Sequence, residues 1–64
     1  MSGFNRFVNI LRLFTDQESV WTVQGISEVL TVPQSTVYRT VRDLVKAGFL
    51  ETATGANYRL GAAF

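Results

Sequence analysis

The sequence predicts one small, mainly α-helical domain of three helices closed by a β-hairpin. Three observations carry this. Apolar residues recur at three- and four-residue spacing in two long stretches, Pro33 and Gly48 stand where one helix must start and stop, and two short β-type runs near the end flank a connection containing glycine. With 64 residues there is room for a single domain, predicted to span 1–64. A composition 47% hydrophobic and 17% charged belongs to a folding chain rather than a disordered one. A core this small rarely supplies more than about 3 to 5 kcal/mol of net stability. Without cysteine there is no disulfide to reinforce it, so self-association is expected.

Phe4, Phe7, Val8, Leu11 and Phe14 share one face of a first helix predicted from Phe4 to Phe14, with Ile10 and Leu13 widening the apolar surface. That breadth fits either a wide core-facing stripe or a patch for a partner. Val20-Trp21-Thr22 is β-rich and long enough only for one short strand. Thr22 is placed to cap a second helix that buries Ile26, Val29 and Leu30. A turn of Thr31 and Val32 leads to Pro33, suited to the first position of a third helix, which runs to Ala47 and stops at Gly48. Phe49–Thr52 and Asn57–Leu60 read as the hairpin strands, and Gly55 supplies the positive φ of their connection.

The third helix carries the chemistry. Val37, Val41, Leu44 and Val45 form its apolar face, and at about 100° per residue Ser35, Arg39, Arg42 and Lys46 fall within roughly 60° of arc opposite it. Any amphipathic helix turns charges outward. This stripe, however, is nearly single-signed in a chain whose net charge is only +1. Cations aligned on one face can displace counterions from a phosphate backbone, which scattered ones cannot. Gln34, Ser35 and Thr36 occupy the first turn, where a helix in the major groove reaches base edges and phosphates. Arg39 has the fork for a guanine edge, Arg42 and Lys46 are placed for phosphate, and Tyr38 borders the buried face, where a structural role and a DNA contact are both open.

Two helices joined by a short turn, the second basic outside, read as a helix-turn-helix, and the trailing hairpin makes it winged. Ile10-Leu11-Arg12-Leu13-Phe14, Val32-Pro33-Gln34-Ser35-Thr36-Val37-Tyr38-Arg39, Leu44-Val45-Lys46-Ala47-Gly48-Phe49-Leu50 and Tyr58-Arg59-Leu60-Gly61 cover nearly the whole chain. In these stretches the sequence resembles the N-terminal DNA-binding domain of IclR-type bacterial transcription regulators. The resemblance implies a recognition helix from Pro33 to Ala47 and a wing around Thr54 to Asn57, with Arg59 at its exit. It also implies homodimers on near-palindromic sites, with the first helix and a downstream segment as assembly contacts. The expected whole is a fragment lacking a C-terminal effector domain, with no small-molecule effector site in this segment. Some positions depart from the family pattern: Gly25 replaces a capping-box glutamate, Thr31 a turn glycine and Ser27 a small alanine, and the wing tip has no Lys or Arg. Ser27 is expected to hydrogen-bond back to its own helix, and Thr31, strained at positive φ, to push the turn toward another conformation.

Other classes fit poorly. With neither histidine nor cysteine, the usual metal-ligand sets and most catalytic constellations cannot be assembled, so no metal, cofactor or enzymatic activity is expected. Asn5, Arg6, Asn9 and Arg12 break the only long apolar run, which excludes a membrane span or targeting segment there. A cytoplasmic protein is expected. The remaining rival is a winged-helix module that binds protein rather than DNA, which would expose apolar groups where this chain has its cationic stripe.

Overall fold

The computed structural model describes residues 3–62, and side chains from residue 5 onward. The elements run α1 (Gly3–Asp16), β1 (Val20–Thr22), α2 (Val23–Leu30), α3 (Gln34–Ala47), β2 (Leu50–Thr52) and β3 (Asn57–Leu60). The predicted arrangement of helices and hairpin is present, with β1 joined to the hairpin in one antiparallel sheet of order β1-β3-β2. No helix among the described residues is long and apolar enough to cross a membrane.

Ile10, Leu13 and Phe14 of α1, Ile26 of α2, Val37, Val41 and Leu44 of α3, and Leu50 of β2 form the core. On α3 the apolar period and the buried face coincide. On α1 they do not. Ile10 and Leu13, assigned to the flank, are buried, whereas Phe7, Val8 and Leu11 are only half-buried. The helix packs against both α3 and β3, so a spacing rule that assumes one neighbour misplaces the centre of its face. Phe4, assigned to that face, lies outside the described side chains, and Ala63 and Phe64 lie outside the described residues. The helix also continues to Asp16, two residues past the predicted end. Val29, expected inside, is 49% exposed.

Thr22 caps α2 as expected: its Oγ1 accepts from the Gly25 amide at 3.0 Å. Half of a capping box is thus present. At Gly25 a Cβ would lie 3.3 Å from the Trp21 ring, so this position favours the indole over a longer side chain. The Trp21 indole N–H donates to the carbonyls of Leu13 and Glu18, each at 3.1 Å, tying β1 to the end of α1.

The turn differs from both expectations about it. Thr31 does take the left-handed conformation, at φ 56° and ψ 49°, despite its branched side chain. Ser27 reaches across the turn rather than back into its helix: its Oγ donates to the Val32 carbonyl at 2.6 Å, while its own carbonyl accepts from the Val32 amide at 3.2 Å. Two opposed hydrogen bonds between the same two residues hold the corner in the conformation that Thr31 alone would resist. Pro33, expected as the first helical residue, is instead the cap, with φ −55° and ψ 143° and a carbonyl accepting from the Thr36 and Val37 amides at 3.1 Å. Gly48 ends α3 in the left-handed region at φ 86°. Its amide donates to Val45 and the Phe49 amide to Leu44, the paired bonds of a Schellman ending. That ending keeps Phe49 out of β2, which starts one residue later than predicted.

Candidate nucleic-acid interface

Burying Val37, Thr40, Val41 and Leu44 fixes the rotation of α3, and its opposite side is therefore determined. Ser35, Arg39, Arg42 and Lys46 are all exposed on that side. Among the described residues no carboxylate comes within 4.0 Å of Arg39, Arg42 or Lys46. Three of the chain's six basic residues thus project from one ridge with their charges uncompensated. Gln34 and Ser35 are exposed in the first turn, and Thr36 is half-buried beside them. The Pro33 carbonyl takes the Thr36 and Val37 amides, which leaves those of Gln34 and Ser35 as the donors this helix end offers to an anion.

Grooves border the ridge on both flanks. On the wing side, one of about 590 Å³ is lined by Thr22 and Gln24 at the start of α2, Gln34, Ser35 and Tyr38 of α3, and Ala56 and Tyr58 of the wing. Tyr38 is 48% exposed, which places it on the outer surface rather than in the core. Tyr58 of β3, partly buried against the core, lines the same groove, and sequence reasoning missed it because a tyrosine in a strand gives no signal of what lies across from it. On the α1 side, a second groove of about 260 Å³ is lined by Arg6, Phe7, Thr36, Arg39, Thr40 and Asp43. Arg6 was also missed. Nothing in the local pattern of α1 shows that its first turns run beside α3.

Arg59 stands apart from the ridge. In register with Glu51 across β2 and β3, it donates from Nε to Glu51 Oε1 at 2.7 Å. Side chains alternate along a strand, and Tyr58 and Leu60 turn toward the core, so Arg59 and Glu51 occupy the opposite sheet face. The wing tip itself, turned by Gly55 at φ 67°, carries Thr54 and Ala56 and no cation.

The family profile described as the IclR helix-turn-helix domain matches residues 5–53. The chain belongs to this family. Solved structures of IclR proteins agree in shape. An IclR homolog from Microbacterium hydrocarbonoxydans, crystallised with 4-hydroxybenzoate, is 31% identical with a TM-score of 0.86 over 97% of this chain and 26% of that one. An IclR homolog from Microbacterium sp. strain HM58-2 is 30% identical, TM-score 0.87, over 98% and 26%. An IclR family transcriptional regulator from Brucella abortus is 28% identical, TM-score 0.89, over 98% and 24%. No curated protein matches the chain. The chain spans about a quarter of the length of these solved relatives. Its three helices and three-stranded sheet are the winged helix-turn-helix of IclR regulators, a DNA-binding domain of a family of transcription regulators rather than of enzymes.

Proposed function

We propose that this IclR domain is the DNA-reading part of a transcription regulator, acting in the cytoplasm as a homodimer on a near-palindromic site of double-stranded DNA. In this reading α3 lies in the major groove. Gln34, Ser35, Thr36, Tyr38 and Arg39 lie nearest the bases or adjoining phosphates, and Arg42 and Lys46 meet phosphate. The observation that carries it is the exposed row of Arg39, Arg42 and Lys46, without an ion-pair partner among the described residues, on a helix whose rotation the core dictates. Arg59 is a secondary contact, because Glu51 already neutralises part of its charge. Support for pairing comes from a mostly apolar groove of about 260 Å³ between α1 and the end of α3, lined by Phe7, Val8, Leu11, Leu44, Ala47 and Phe49 with Asp43 beside them.

The test compares two substitutions on two duplexes, a selected cognate site and a random sequence. Arg39→Ala should cost about 1 to 3 kcal/mol on the cognate site and much less on the random one. Lys46→Ala should weaken both alike and reduce the slope of log affinity against log salt by about 1. Equal losses from the two substitutions on both duplexes would remove the assigned base-reading role of Arg39. A wild-type affinity that does not fall with salt would remove DNA binding altogether.

A further inference from the structure

Charge divides the wing side of α3 into two clefts that share Tyr38. The cleft beside the C-terminal half of the helix is lined by Arg42 and Lys46. The cleft beside its first turns is walled by Gln24, Gln34, Ser35, Tyr38 and Tyr58, and no charged side chain lines it. Phosphate is held mainly by cations, so the backbone belongs to the first cleft. The neutral donors and acceptors of the second match base edges, which carry no net charge. Two side chains there are uncommitted. Among the described residues neither the Gln34 amide nor the Tyr38 hydroxyl makes a hydrogen bond, whereas Gln24 donates to the Glu28 carboxylate at 3.4 Å. Tyr38 is the aromatic side chain of α3 and stays exposed, while Val37 and Val41 on the same helix are buried. Four residues apart, Gln34 and Tyr38 share one helix face and stand about 6 Å apart along the axis, under two base-pair steps. Both lie in the N-terminal half of α3, the part of a helix in the major groove that reaches base edges.

We propose that Gln34 and Tyr38 make the wing side of α3 a reader of A·T pairs. The Gln34 amide pairs with N6 and N7 of an adenine, and the Tyr38 ring packs on the 5-methyl group of a thymine in an adjacent base pair. This rests on the DNA reading above and deepens it, by naming the base pairs recognised beside the base that Arg39 contacts. An amide carries one donor and one acceptor side by side, the complement of the N7 acceptor and N6 donor of adenine. Guanine presents two acceptors at that edge and would set one of them against the amide oxygen. Cytosine lacks the methyl group, so in place of thymine it leaves the exposed ring without its apolar contact.

In the experiment the 64-residue chain selects its preferred duplex from a randomised pool, and the selected site is then altered one atom group at a time. Uracil in place of thymine removes the 5-methyl group and keeps base pairing, and 7-deazaadenine in place of adenine removes the N7 acceptor. For wild type, at least one thymine should cost about fourfold in affinity when changed to uracil, the worth of one buried methyl-sized group. An adenine in an adjacent pair should cost about 2- to 10-fold as 7-deazaadenine. Tyr38→Ala should bind the thymine and uracil duplexes equally, Gln34→Ala should ignore the deaza change, and Arg39→Ala should keep both sensitivities. Each arm decides its own residue, and both effects are read first in wild type, where no folding defect can intervene. Duplex binding without sequence enrichment, or a wild type indifferent to every uracil and every 7-deazaadenine, overturns the assignment while leaving DNA binding by α3 intact. A sensitivity that persists in the matching alanine variant overturns it too, because another side chain then meets that base. If wild type binds no duplex at all, the DNA reading itself falls and the assignment with it.

Discussion

Replacing Thr31 with glycine should stabilise the domain, and the corner between α2 and α3 allows the size of the effect to be worked out. Thr31 sits at φ 56° and ψ 49°, where a residue with a Cβ loses about 1 to 2 kcal/mol relative to right-handed conformations. Glycine escapes that cost but loses more freedom on folding, by roughly 0.5 to 1 kcal/mol. The Thr31 side chain is exposed, and none of its atoms is among the side-chain hydrogen bonds of the turn, which run through Ser27 instead. Little else is therefore lost, and the balance favours glycine by about 0.5 to 1 kcal/mol. For a domain of this size that raises Tm by roughly 2 to 8 °C. Thermal unfolding followed by circular dichroism reads the shift directly. Thr31→Ala is the control, because it removes the branch and hydroxyl but keeps the Cβ, and should give at most a small part of the gain. If alanine matches glycine, the strain lies in the branched side chain and the backbone argument is wrong. A Tm for Thr31→Gly at or below wild type would show that the left-handed turn costs no more than the chain freedom glycine adds, and would refute the calculated gain.

The same corner predicts that Ser27→Ala, which deletes the 2.6 Å bond to the Val32 carbonyl, destabilises by about 0.5 to 1.5 kcal/mol in urea unfolding; an unchanged midpoint would mean water replaces the hydroxyl without loss. Gly61→Ala should destabilise by more than about 1 kcal/mol, because its Cβ would run into the Gly48 carbonyl oxygen, with Gly48 C and Leu50 C each 3.1 Å away. A wild-type Tm for that variant would show that the end of β3 can move aside. Glu51→Gln should leave stability nearly unchanged, since an exposed ion pair contributes at most about 1 kcal/mol, while freeing Arg59 for DNA. Duplex affinity measured by anisotropy should then rise at low salt, and no rise would exclude Arg59 from the interface.

Legibility in the sequence followed the range of the forces involved. α3 could be read almost completely, because Val37, Val41 and Leu44 face one contiguous core and Gly48 takes the left-handed geometry only glycine adopts cheaply. The exposure of Ser35, Arg39, Arg42 and Lys46 follows from that rotation by subtraction. α1 was harder. Its apolar residues cover most of its circumference, and only the positions of α3 and β3 decide that Ile10 and Leu13 are buried while Val8 is not. Thr31 misled for a different reason: intrinsic preference argued against positive φ, but the Ser27 and Val32 hydrogen bonds cross the turn and outweigh it. Arg6 and Tyr58 gave no signal because their place beside α3 exists only once distant segments have packed.

Net charge gave the weakest warning of all, and pairing explains why. With six basic and five acidic residues the chain is close to neutral, which by itself disfavours a polyanion partner. The fold separates these charges unevenly. Arg12 sits 3.9 Å from Asp16 one turn along α1, and Arg59 2.7 Å from Glu51 across the sheet, so two cations are neutralised where they stand. The remaining four are Arg6, Arg39, Arg42 and Lys46, one in the groove beside α3 and three on its ridge. Over the roughly 8 to 10 Å that a charge is felt in physiological salt, a duplex approaching α3 meets this cluster rather than the average of the molecule. Asp43 is the acid on α3 itself, and it lies at the edge of that field. A neutral total charge is therefore compatible with a strongly directional one. The quantity that decides partner choice is which cations the fold leaves without a carboxylate, and this is set by strand register and helix rotation rather than by composition.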